Sequence, residues 1–243
     1  MLSYDLSGDA AWITIDRPEK RNALPVAGWR ELTGLLRRAE GEARVAVVTG
    51  VGDAFCAGDD IAALDAAETD ADVAELADSL YDALFGVEKL DVPVVAAVNG
   101  LAYGGGCELV AASDLAVAVE DAAFALPETT IGAYPPYAME RVASTVGKKR
   151  LMELALTGEP IDAEWARDWG LVNRVVGEGD LSTAVEAFVS SIAESPPTAT
   201  RTAKRAAAAS LASADERERV HESLSTVLAD EECRAAARSF LED

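Results

Sequence analysis

One histidine, three cysteines and five lysines are all this chain has of those residue types, and each scarcity excludes something. With His221 as the sole histidine, a histidine-rich metal site is impossible, and a Ser-His-Asp triad would have to run through that residue. His221 follows the charged stretch 215–220, where a solvated helical face is expected. Cys56, Cys107 and Cys233 are odd in number and widely spaced, so neither a disulfide framework nor a zinc site is indicated. Acid–base chemistry in such a chain has to rest on carboxylates. Long apolar runs are missing as well. The longest lies around 92–98, far short of the ~18 residues of a membrane span, so no membrane partner is expected. The opening residues Met1-Leu2-Ser3-Tyr4-Asp5 lack the basic-then-apolar order of a secretory signal, which points to a cytoplasmic protein.

Acid is what the chain has in excess. Its 243 residues carry 43 Asp or Glu against 21 Lys or Arg, a formal charge of −22. Phosphate binding needs clustered positive charge, so nucleic acid is a poor partner. A self-repelling surface of this kind is a device of halophilic proteins, and it also occurs on ordinary acidic cytosolic enzymes. Half the residues are apolar, enough for a substantial core. At about 150 residues per domain, the length suits one large domain with a small C-terminal extension.

Hydrophobic periodicity predicts alternating strands and helices in the first half. Strands are expected at 11–15, 45–49, 93–98 and 115–119, and helices at 26–39, 70–87 and 107–112. That alternation implies α/β architecture with mainly parallel pairing. Beyond about residue 140, helical patterns cover 148–156, 163–169, 181–193, 198–209, 214–228 and 231–241, interrupted by an apolar run at 172–176. Pro196-Pro197 is the clearest punctuation, and it divides a core of residues 1–195 from a helical layer at 196–243.

Two glycine-bearing loops each follow a buried strand. The first runs from Gly50 to Ile61. It is neither a dinucleotide fingerprint, since Phe55 stands where a third glycine is needed, nor a P-loop, since no Gly-Lys-Ser/Thr follows. The second is Asn99–Leu109, with Gly104-Gly105-Gly106 opening a helix. Unpaired amides at a helix start can hold an anion, or an oxygen that becomes one during reaction. Most glycine-rich strand-to-helix turns are nothing more than turns. Two carboxylates sharpen the pattern: Glu108 in the first turn after the triple glycine, and Glu128 after Pro127 at the end of the apolar segment 122–126. Helix-dipole placement and helix capping are the plainer explanations of these acids.

Five segments in order carry a family likeness: Arg17-Pro18-Glu19-Lys20-Arg21-Asn22-Ala23-Leu24, Phe55–Ile61, Asn99–Glu108, Phe124–Glu128, and Leu156–Ala163 leading to Trp169–Asn173. Over nearly its whole length the chain resembles the enoyl-CoA hydratase/isomerase (crotonase) superfamily. The resemblance implies an α/β fold of stacked ββα turns in a spiral, closed by C-terminal helices that support assembly as a homotrimer or homohexamer. It implies an acyl-CoA thioester as substrate, with no metal and no redox cofactor. The thioester oxygen would be held by the backbone N–H groups of Asp59 and Gly105. CoA contacts would come from Lys20, Ala23, Leu24, Ala57, Asp60 and Ile61. Members that hydrate enoyl thioesters resemble this chain in having glutamates at both positions, matched by Glu108 and Glu128. Members that only shift a double bond often keep the acid at the position of Glu128 alone.

The resemblance therefore implies an enoyl-CoA hydratase in which Glu108 activates water and Glu128 protonates Cα. The helix dipole is expected to favour an ionised Glu108, and an apolar setting a protonated Glu128. Double-bond isomerisation is the nearest alternative, and a non-catalytic CoA-binding protein a more distant one. The chain departs from the family after Gly132, where Ala133-Tyr134-Pro135-Pro136-Tyr137 replaces a glycine-rich turn. The bulk of Tyr134, Pro136 and Tyr137 is expected to reshape the acyl wall.

Overall fold

Runs of valine and alanine make the central strands, because β-branched side chains pack well on a pleated, buried surface. In the computed structural model, which describes residues 1–62, 69–211 and 215–242, these runs assemble into two sheets. The larger joins β1 (Leu2–Ser7), β2 (Ala10–Ile15), β3 (Val45–Gly50), β5 (Val94–Val98), β7 (Leu115–Val119) and β10 (Arg174–Val176) in that order. Only β1 and β2 pair antiparallel in it. The smaller joins β4 (Ala54–Cys56), β6 (Leu101–Tyr103), β8 (Ala123–Ala125) and β9 (Ile161–Asp162).

Both faces of the large sheet are covered, which explains its continuous apolar strands. Val45, Val47, Val95 and Val117 face one way, onto Val185 and Val189 of the helix Leu181–Ala193. Ala46, Val48, Val94 and Ala96 face the main core. There α1 (Val26–Glu42) buries Trp29, Leu32, Leu36 and Ala39 along one stripe. Packed beside it is α2 (Asp70–Lys89), which starts on a capping box. Thr69 Oγ1 accepts from the Asp72 N–H at 3.2 Å, and the Asp72 carboxylate accepts from the Thr69 N–H at 2.8 Å. The next helix, α3 (Gly105–Ala112), is buried along its length.

The second half is helical, as its periodicity predicts. A π-helical turn (Ala138–Val142) leads into α4 (Ala143–Val146), α5 (Lys148–Thr157) and α6 (Ala163–Asp168). After β10 come α7 (Leu181–Ala193), α8 (Pro197–Leu211), α9 (Glu216–Ala229) and α10 (Glu231–Glu242). The predicted start of the helix 214–228 lies outside the described residues. Lys204 of α8 ties that helix to the sheet. Its Nζ donates to Asp114 at 2.6 Å and to the Val92 carbonyl at 3.0 Å. On α9, His221 is not simply solvated: its Nε2 lies 3.0 Å from Asp78 Oδ1. Arg217 pairs with Asp78 and Asp82, and Arg219 with Glu140, so α9 is held across α2 and the π-helical turn.

Four strands escaped the periodicity reading, among them β9, which has only two residues. β1 is an edge strand whose side chains are mostly exposed, so its alternation is faint. β4 and β6 have three residues each, too few to show a period.

Candidate active site

The two glycine loops are brought together by close backbone approach. Gly58 has φ +91°, and a Cβ there would lie 2.8 Å from the Gly105 nitrogen. A Cβ on Gly106 would lie 2.0 Å from the Cys56 carbonyl oxygen, so the start of α3 can touch the end of β4 only with glycine in place. Just past that contact Leu24 and Asp59 form an isolated parallel bridge: the Leu24 N–H donates to the Gly58 carbonyl at 2.8 Å and the Asp60 N–H to the Leu24 carbonyl at 3.0 Å. This pattern uses the groups on either side of Asp59 and turns Asp59's own N–H away from Leu24. Gly105 is the first residue of α3, where an N–H has no partner within the helix. The two predicted amide donors thus stand on neighbouring, mutually packed turns.

A cavity of about 850 Å³ opens beside them. Of the predicted site residues, Lys20, Ala23, Ala57, Asp59, Asp60, Ile61, Gly105 and Glu128 line it. Leu24 does not. It is fully buried, and its part is the bridge that sets Asp59. Glu108 is not among the lining residues either. It is 1% exposed, and its Oε1 accepts from the Ala138 N–H at 2.7 Å. Glu128 is the first residue of a 3₁₀ turn (Glu128–Ile131). It is 8% exposed, and its Oε2 is buried without a hydrogen-bond partner.

Burial is the dominant force on all three acids. It pushes the Glu128 carboxyl up to about 8, against the pull of the residue's own N–H and with help from the charge of Asp59. Glu108 is pushed well above the usual carboxylate range by burial first and by the charge of Glu128 second, while the Ala138 amide works the other way. Burial and the neighbouring Glu128 charge thus oppose the ionised form of Glu108 that its place at the helix start favours. Asp59 rises to about 6, again by burial, although its hydrogen bond from Trp29 and its own N–H favour the charged form.

Several residues of the site were given no role by the sequence reading. Arg17 holds Asp60 through two contacts of 3.3 Å and donates to the Ala23 carbonyl at 2.5 Å, joining the first segment to the Gly58 loop. Asn22, buried and left-handed at φ 61°, accepts from the Arg17 N–H and donates to the Val51 and Ala54 carbonyls. Leu224 of α9 and Ala236 and Ser239 of α10 close one side of the cavity, a contribution visible only after folding. The expected aromatic wall is partly corrected. Tyr134 lines the cavity, but Pro136 and Tyr137 turn into the core, where the Tyr137 hydroxyl donates to Glu88 at 2.7 Å. Burial of an apolar ring with one satisfied hydroxyl is the favoured arrangement for tyrosine. Among the described residues no three His, Cys, Asp or Glu side chains converge as metal ligands. None of the described helices is long and apolar enough to cross a membrane.

Asp59, Gly105 and Glu128 thus line one cavity, with Glu108 buried nearby. Comparison with known proteins shows the family. Residues 7–243 match the enoyl-CoA hydratase/isomerase family, and the chain belongs to it. It is 38% identical over 207 residues to a probable enoyl-CoA hydratase of Rhodobacter capsulatus, covering 84% of this chain and 80% of that protein. It is 36% identical over 202 residues to the carnitinyl-CoA dehydratase of Escherichia coli K12, covering 82% and 76%. Its fold matches the crystal structure of an enoyl-CoA hydratase/isomerase from Mycobacterium paratuberculosis with a TM-score of 0.90 at 30% identity, over 98% of this chain and 97% of that one.

Proposed function

We propose that this protein is an enoyl-CoA hydratase that adds water across the 2,3-double bond of an enoyl-CoA thioester. The observation that supports the reading is the pair of buried, mutually interacting glutamates, with Glu128 packed against Gly104 and lining the cavity, its Oε2 buried and unpartnered. A water oxygen attacks C3 while Glu108 takes one of its protons. The π electrons shift toward the thioester, and the developing negative charge on its oxygen is met by the Asp59 and Gly105 N–H groups. Donors fixed in advance favour this state over the ground state, and loss of one costs about 3–4 kcal/mol. Glu128 then gives its proton to C2, which leaves the 3-hydroxyacyl thioester. The proton count closes when the proton taken by Glu108 is passed to Glu128, directly or by exchange through solvent. Dehydration is the same path in reverse.

In this reading Lys20, Ala23, Ala57, Asp60 and Ile61 contact the CoA moiety, and neither a metal nor a redox cofactor takes part. The protein works in the cytoplasm as a homotrimer or homohexamer. One observation favours a second reading. Glu108 stands outside the cavity lining, so chemistry that needs Glu128 alone, such as double-bond isomerisation, is the alternative. Hydration of crotonyl-CoA, followed by loss of the enoyl absorbance, separates them. Rapid loss supports hydration, whereas migration of a 3,4-double bond without water incorporation supports isomerisation.

A further inference from the structure

Glu88 has no task in the hydration scheme and does not line the cavity, yet its carboxylate is closely engaged. It stands in the last turn of α2, where the helix dipole disfavours negative charge. Its side chain is only 11% exposed. The Tyr137 hydroxyl donates to its Oε1 at 2.7 Å, and Arg141 Nε lies 3.1 and 3.2 Å from its two oxygens. Arg141 is buried as well, with its guanidinium 5.0 Å from the Phe85 ring, and Tyr137 packs edge-on against that ring at 4.9 Å. Phe85 and Glu88, three residues apart on one face of α2, therefore grip the chain at two points.

The seat of Glu108 lies between those points. Pro136 and Tyr137 open the helical segment that the π turn continues. Proline gives up no bond at a first helical position, and the next two N–H groups have no partner along the helix. The Ala138 N–H donates to Glu108 Oε1 at 2.7 Å, and the Tyr137 amide also favours the charged carboxylate. A buried ion pair is weak evidence for stability, because apolar residues of similar volume often serve as well. What it adds here is orientation, since hydrogen bonds weaken steeply when bent.

We propose that Glu88 is a positioning residue for hydration: through Tyr137 and Arg141 it holds the turn whose amides seat Glu108, and so keeps that base aligned for the water step. The inference rests on reading Glu108 as the base of a hydratase. Glu88 itself touches no substrate. Loss of its carboxylate lets the turn and Glu108 shift, which slows attack by water. Glu128 and the Asp59 and Gly105 amides stay in place, so chemistry at C2 that needs only those groups is spared.

Two reactions of the intact protein separate this role from a general loosening. The first is hydration of crotonyl-CoA. The second is exchange of the C2 protons of butyryl-CoA in alkaline D2O, followed by proton NMR: ionised Glu128 takes a C2 proton, the two amides hold the enolate, and a deuteron from solvent returns to C2. Glu88→Ala is expected to lower kcat for hydration by about tenfold or more, with KM and the exchange rate within about twofold of native. Glu88→Gln keeps an acceptor for Tyr137 and Arg141 and should restore kcat to within about threefold of native. Tyr137→Phe leaves the ion pair intact and stands in if Glu88→Ala does not fold, with the same split and a loss of several-fold. Near-native hydration in the variant tested would overturn the proposal, and so would a loss in which KM rises or C2 exchange falls in parallel. A native protein that exchanges C2 protons without hydrating crotonyl-CoA would instead sink the hydratase reading, and the role of Glu88 with it.

Discussion

Glu108 of α3 accepts a hydrogen bond from the backbone N–H of Ala138, 30 residues further along the chain, at 2.7 Å. Ala138 begins the π-helical turn, and that turn is fixed from behind. Tyr137 donates to Glu88 at 2.7 Å, and Arg141 Nε reaches the same carboxylate at 3.1 Å. The departure from the family pattern at 133–137 therefore builds the seat of a glutamate as well as part of a cavity wall. Single-turn π-helices inside α-helical segments are frequent at functional sites.

Removing either glutamate carboxylate should depress hydration sharply. Glu108→Gln and Glu128→Gln are each expected to lower kcat/KM for crotonyl-CoA by about 10²–10⁴-fold, the range for positioned acid–base groups. Near-normal turnover in either variant would end the two-acid assignment.

The same substitution at Glu128 should stabilise the fold at alkaline pH. A carboxyl raised to about 8 in the folded state holds its proton more tightly than it does unfolded, near 4.3. Its contribution is therefore fully favourable below about pH 4 and is lost as pH rises through 8. Glu128→Gln removes that loss, so its Tm should exceed that of the native protein at pH 9 and match it near pH 4. The crossover is read by thermal denaturation at the two pH values.

Activity should follow pH on both sides. Loss of the Glu128 proton as pH rises through about 8 removes the donor to C2, and full protonation of the coupled pair at low pH removes the base. A bell-shaped kcat/KM profile is expected, and Glu128→Asp should move its alkaline limb.

Tyr137→Phe tests the seat of Glu108. The lost hydrogen bond to Glu88 should cost about 1 kcal/mol of stability, while the freed turn should lower kcat several-fold at nearly constant KM. A change confined to Tm would show that the hydroxyl is structural only.

Salt should strengthen this protein. Exposed surface pairs such as Arg30–Glu75 are worth ~0–1 kcal/mol each and weaken with salt, but the repulsion among the acids that give a charge of −22 is screened too. The second effect should win, with Tm rising by roughly 5 °C between 0.1 and 2 M KCl. A falling Tm would argue against adaptation to salt.

Local pattern was enough for the long elements. The stripe Trp29, Leu32, Leu36 marks α1, and the unbroken apolar runs of β3 and β5 mark a sheet covered on both faces, because such periods arise from each residue's own face of the helix or strand. The motifs singled out Asp59, Gly105 and Glu128, and all three line the cavity. The amino-acid sequence by itself determined the α/β class, the glycines that let two backbones touch, and the acids available for chemistry. Tertiary structure alone decided which acids line the cavity, how deeply Glu108 is buried, and that α9 and α10 close the site. Solvation and charge coupling depend on distances between residues remote in sequence, and a pattern along the chain carries no such distances.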